Sequence, residues 1–78
     1  MSQNLIQDIS IGENLRNLRR RAGLSQEQVA AQLELSGISI SREIISQMER
    51  GTHHIRISVL LALKKLYHAS YEEIFDSL

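Results

Sequence analysis

The stretch SISREIISQMERG, residues 39–51, decides how this chain is read. Its spacing predicts a helix of about ten residues that opens on Ser41 and closes on Gly51. Ile44, Ile45 and Met48 crowd one side, while Arg42, Glu43, Ser46, Gln47 and Arg50 line the other at spacings that return every helical turn. A merely solvated face is served by any mixture of Lys and Glu. A face of Arg, Gln and Ser, dense in directional hydrogen-bonding groups, asks for another explanation.

Working outward, Ile11, Leu15, Leu18 and Ala22 repeat at helical spacing behind a Ser10/Glu13 capping box, which predicts a first helix over 11–22 ended by Gly23. Ser25 opens a second helix. Gln28 completes its capping box, Leu24 is placed to staple onto Val29, and Val29, Ala30 and Leu33 form an inner side that ends near Leu33 or Glu34. In the linker LELSGISI, Gly37 suits a turn, and Leu35, Ile38 and Ile40 are expected to pack down, with Ile40 spaced to staple onto Ile45. Beyond the loop THHIR, the residues Ile57, Leu60, Leu61, Leu63 and Tyr67 predict a mostly buried helix over 57–67, starting at Arg56, a poor cap, or at Ser58. Ser70 with Glu73 makes a third capping box and opens a short final helix in YEEIFDSL.

Residues 1–10 carry no assignment and are taken as an N-terminal extension to a domain over 11–78. Five short helices with short connections make an all-α orthogonal bundle, and the lack of sustained heptads excludes a coiled coil.

The composition bounds the rest. Seventy-eight residues hold one domain, near the lower size limit for a single apolar core. Cysteine is absent, so neither disulfides nor thiolate metal sites are available. No apolar run approaches the ~20 residues of a membrane span, and MSQNLIQDIS lacks the layout of a signal peptide, so a cytoplasmic protein is expected. The net charge is zero, which at first argues against a nucleic-acid partner. The zero hides an asymmetry: all nine basic side chains lie between Arg16 and Lys65 beside only four acids, an excess of five. The acids Asp8, Glu13, Glu72, Glu73 and Asp76 sit near the ends, so a basic face remains available to phosphate.

The outward face of helix 41–50 then has a chemical reading. An α-helix fits the DNA major groove, and one that reads it needs an apolar inner side and base-matching side chains outside. Ile45 and Met48 meet the first demand; Arg42, Glu43, Ser46 and Gln47 meet the second. Arg pairs with guanine and Gln with adenine, and Glu43 can accept from the cytosine amino group, adding specificity at a cost in affinity. Ser25 and Gln26 open the preceding helix where its positive dipole end could hold a phosphate, and Arg50 would add a further phosphate contact.

These segments, IGENLRNLRRRAGLSQEQVA, ISREIISQMERG and LLALKKLYHASYEEIF in that order, resemble the phage-repressor and Cro-like helix-turn-helix regulators, the XRE family, over residues 11–76. The resemblance implies the phage repressor-like five-helix fold containing a helix-turn-helix, and binding of double-stranded operator DNA as a two-fold homodimer. It places base contacts on Arg42, Glu43, Ser46 and Gln47 and a backbone contact on Gln26. It also implies a structural ion pair between Arg19 and Glu49, costly to break at either end if buried. The chain departs from the family pattern in the turn between the second and third helices. Glu34 stands where many members have Gly, and about five extra residues intervene, which bears on the docking angle. Ile55 stands near the place where many members have Pro.

Competing readings accompany several residues. Arg16, Arg19, Arg20 and Arg21 make either a phosphate patch or a basic last turn that complements the helix dipole; in the family context Arg19 enters the ion pair and one of the others approaches phosphate. His53, His54 and His68 have no ligand spacing with the carboxylates, so no metal or cofactor is expected, and no catalytic constellation supports an enzyme. Tyr71, Ile74, Phe75 and Leu78 are either core or a dimer surface. The expected function is transcriptional regulation, as a repressor reading the major groove. The rival is a protein-interaction module on the same fold, such as an antitoxin or a regulator acting mainly through a protein partner.

Overall fold

The computed structural model of the chain describes residues 4–5 and 10–76. The order is β1 (Asn4–Leu5), α1 (Gly12–Arg21), α2 (Gln26–Leu35), α3 (Arg42–Glu49), β2 (Ile55–Arg56), α4 (Ile57–Leu66) and α5 (Tyr71–Ile74). Serines set three of the helix starts. Ser25 and Ser70 complete capping boxes with Gln28 and Glu73, and Ser41 Oγ accepts the Ile44 N–H at 3.3 Å. Each oxygen satisfies a donor that the first helical turn leaves without an internal partner.

The Ser10/Glu13 box does not form. Ile11 is the N-cap of α1 and contributes no side-chain bond; Ser10 Oγ instead accepts the Gly12 N–H at 3.0 Å. Packing overrides the local signal here. Ile11 is buried, and Gly12 lies so close to the end of α3 that a Cβ on it would stand 2.6 Å from the Met48 carbonyl oxygen. The start of α4 falls at Ile57, with Arg56 as a cap that makes no side-chain bond.

Four helices end the same way, with a left-handed residue after the C-cap and the next N–H returning to a carbonyl five residues back. The added length between α2 and α3 is absorbed by this device. α2 runs on to Leu35, Gly37 takes φ +85°, and the Ile38 N–H reaches the Leu33 carbonyl at 2.9 Å. At the end of α4 the left-handed position is His68, at φ 51°, and the Ala69 N–H closes on Lys64 at 3.0 Å.

α3 packs against both α1 and α2, and α5 packs against α1. Their shared core holds Leu15 and Leu18 of α1, Val29 and Leu33 of α2, Ile45 and Met48 of α3, Leu60 and Leu63 of α4, and Ile74 of α5. Three apolar expectations are corrected. Leu35 is 83% exposed, since it lies past the inner stripe that ends on Leu33, although Ile38 and Ile40 do pack on the core. Ile57 and Leu61, 41% and 46% exposed, form an outward ridge on α4, and Val59 joins Leu60 and Leu63 inside instead. Ala22 is exposed as the C-cap of α1.

Polar bonds from α1 hold α5 at both ends. Asn14 Nδ2 donates to the carbonyls of Ile74 at 3.0 Å and Asp76 at 2.7 Å. Arg21 pairs with Glu73, and this bond, helped by the Ser70 N–H, holds the Glu73 carboxyl down at about 2. In the unassigned N-terminal extension, β1 pairs antiparallel with β2, Asn4 opposite Arg56 and Leu5 opposite Ile55. Among the described residues no helix is long and apolar enough to cross a membrane.

Candidate nucleic-acid interface

α3 is anchored from behind by Ile45 and Met48, 1% and 2% exposed. Its outward face leaves Arg42, Glu43 and Arg50 exposed and Ser46 and Gln47 half-buried. Between these faces lies Glu49, 8% exposed, which ties three elements together. Arg19 grips its carboxylate with Nε at 2.7 Å and Nη2 at 3.0 Å, and Gln26 Nε2 donates to the same group at 3.1 Å. The remaining Arg19 nitrogen, Nη1, donates to the Leu24 carbonyl at 2.9 Å. One buried bidentate pair therefore fixes the end of α1, the turn before α2, the first residue of α2 and the last of α3. The Glu49 bond raises the Arg19 pKa against the opposing effect of burial. Burial, with the Glu49 charge adding to it, pushes the neighbouring Tyr67 phenol well above its usual range.

In front of this network opens a recess of about 640 Å³. Arg16 and Arg20 of α1, Ser25, Gln26 and Glu27 at the start of α2, and Arg42, Ser46 and Arg50 at α3 line it, with Arg19 and Glu49 at its base. Among the described residues, five arginines against two glutamates give it a net charge of +3, although the whole chain is neutral. The positive end of the α2 dipole opens into the same space. Such a site takes an extended polyanion at its rim while α3 presents donors and acceptors beside it.

The arginine run of α1 is thereby sorted. Arg19 enters the ion pair, Arg21 turns to Glu73, and Arg16 and Arg20, one helical turn apart, face the recess. Of the residues expected on the basis of the sequence to touch DNA, Ser25, Gln26, Arg42, Ser46 and Arg50 meet at the recess. Glu43 and Gln47 lie outside it on the outward side of α3, Glu43 with its carboxylate 3.9 Å from Arg42 Nε. Ser25 is engaged as a cap on both sides: its N–H donates to Gln28 Oε1 at 2.8 Å, and its Oγ accepts the Gln28 N–H at 3.1 Å.

Sequence reasoning missed Glu27, whose carboxylate stands 3.9 Å from Arg42 Nε; a first-turn acid looks like a plain complement to the helix dipole.

The candidate dimer surface divides. Tyr71 and Phe75 are 54% and 40% exposed, but Ile74 is at 0% and belongs to the core, because it is the inward residue of the single turn of α5. Leu78 lies outside the described residues. Lys64 Nζ sits 4.5 Å from the centre of the Tyr71 ring and links that surface to the α4 ridge of Ile57 and Leu61. The rings of His53 and His54 meet at a tilt of 35° with their centres 4.7 Å apart. Among the described residues no three His, Asp or Glu side chains converge as a metal site.

Compared with known proteins, the chain matches a family model described as a helix-turn-helix domain over residues 10–74, a span that contains all five helices. No curated protein matches it, and no solved structure does.

Proposed function

Because the chain belongs to the helix-turn-helix domain family, we propose that it is a sequence-specific DNA-binding transcriptional regulator of the phage-repressor and Cro-like kind. It acts as a cytoplasmic repressor, without enzymatic activity, and lays α3 in the major groove. The observation that carries this reading is the recess of net charge +3 on a neutral chain, opening where the capped start of α2 meets the outward face of α3. Phosphates are held by Ser25, Gln26 and Arg50, with Arg16 and Arg20 added, and released counterions drive the association. Gln26 is oriented for this by the bond it gives Glu49. Arg42, Glu43, Ser46 and Gln47 read base edges from the following turns of α3.

One module of this size buries too little DNA for tight binding, so the domain over 11–78 works as a homodimer on two half-sites about one helical turn apart. Tyr71 and Phe75, continued by Ile57 and Leu61, supply the apolar area for that contact.

The test is selection from random duplexes followed by a salt titration on the best sequence. A two-fold-symmetric site with affinity that falls steeply as salt rises is expected. Arg42→Ala or Gln47→Ala should cost about 1–3 kcal/mol on that site and little on random DNA. Equal losses on both would refute base reading, and no enrichment at all would favour a protein partner instead.

A further inference from the structure

Among the described residues, Arg42 is the only arginine of the recess with acids from two different helices beside it. Glu27 of α2 and Glu43 of α3 each place a carboxylate oxygen 3.9 Å from its Nε. Either acid alone would be explained by its own helix dipole. Their convergence on one guanidinium from two helices is not, since dipole compensation sets no geometry between helices.

Two physical consequences follow. The closest guanidinium atom to both acids is Nε, so the carboxylates flank the stem side of the group and leave the Nη pair at its tip. At 3.9 Å these are charge contacts longer than a hydrogen bond, so they orient the group without using up its donors. Secondly, one arginine between two glutamates, Glu27 in the recess and Glu43 just outside it, leaves a local charge of −1 at the edge of a recess that is positive as a whole. A phosphate is repelled there. The O6 and N7 of guanine are neutral acceptors, spaced for the two Nη groups, and are not.

We infer that Glu27 is a positioning residue that, with Glu43, holds Arg42 tip-outward to read one guanine in each half-site and keeps that arginine from serving as a phosphate contact. The inference rests on the DNA-binding reading above. Glu27 thus lowers affinity for DNA in general and raises discrimination at one base pair.

The experiment repeats the duplex selection with wild type, Glu27→Gln, Glu27→Asp and Arg42→Ala, and measures each protein on the selected site and on random duplex. The Glu27 and Arg42 side chains are 79% and 54% exposed, so the variants are expected to fold, which a thermal melt checks. In the wild-type site a guanine whose preference disappears in Arg42→Ala is expected. Glu27→Gln should weaken preference for that guanine by about 2- to 5-fold, the range of an exposed ion pair. It should also bind random duplex more tightly and leave the other positions unchanged, while Glu27→Asp retains part of the preference. A merely structural role would move affinity for both duplexes in the same direction. A guanine preference that survives Glu27→Gln overturns the inference alone, whereas failure of the wild type to enrich any site overturns the DNA-binding reading together with it.

Discussion

Removing the Glu49 carboxylate should cost more stability than any other single polar change in the molecule. Arg19 and Glu49 are 9% and 8% exposed, and three of the bonds that satisfy them are 3.0 Å or shorter. Glu49→Ala leaves the guanidinium buried with only the Leu24 carbonyl for company and strips Gln26 of its acceptor. Breaking one side of a buried pair costs about 3–5 kcal/mol. A domain of this length has a total stability of roughly 4–12 kcal/mol, so the variant should lose from about a quarter to all of it. Replacing both partners, as in Arg19→Met with Glu49→Leu, removes the desolvation penalty together with the attraction, and should be less damaging than either Arg19→Met or Glu49→Leu alone. Urea unfolding followed by circular dichroism gives the double-mutant cycle. A coupling above about 2 kcal/mol is expected for a pair this buried. Single-mutant effects that add to within about 0.5 kcal/mol would refute the reasoning, because they would mean that water reaches each group independently.

Gly12→Ala should lose about 1–3 kcal/mol in spite of alanine's better helix propensity, because its methyl would stand 2.6 Å from the Met48 carbonyl oxygen and force α1 and α3 apart; a denaturation midpoint at or above wild type would contradict this. His68→Gly should gain about 1 kcal/mol in thermal unfolding by relieving a left-handed residue at φ 51°, and an unchanged or lower midpoint would mean that the imidazole itself contributes there. Glu73 has a folded pKa of about 2, below its ordinary 4.5, so its link to Arg21 supports the fold above about pH 4.5 and is lost as pH falls toward 2. An NMR titration should show that low value return toward 4.5 in Arg21→Gln, and added salt should weaken the link in the wild type because the pair is exposed.

What was legible in the sequence was whatever the chain encodes locally. Ser25, Ser41 and Ser70 act on donors three residues away, so spacing alone places α2, α3 and α5. Ser10 carries the same signal and fails, because the decisive neighbour of that turn is the end of α3, far along the chain. Helix 57–67 is apolar nearly all round, and periodicity cannot choose an inner side there; only the arrival of other elements leaves Ile57 and Leu61 outside. The same limit governs the site. Consecutive arginines on α1 point about 100° apart, so residues adjacent in sequence reach three different destinations. Glu27 is invisible as a partner of Arg42 until the turn through Gly37 brings the two helix starts together.

The neutral charge of the chain, which at first weighs against a nucleic-acid partner, is on this reading part of how it discriminates. Two of the acids are spent on internal pairs, Glu49 with Arg19 and Glu73 with Arg21, and among the described residues the other terminal acids, Glu13, Glu72 and Asp76, do not line the recess. The positive charge left in the recess is enough to steer a polyanion toward α3 over the Debye length of about 8 Å. Yet Glu27 and Glu43 withhold from phosphate the arginine best placed at the tip of that helix. Non-specific binding is almost wholly electrostatic, whereas base contacts depend on geometry. Removing charge from the first while orienting a donor for the second therefore raises the ratio between them. In a genome that ratio, more than the affinity itself, determines whether a small regulator is found on its operator.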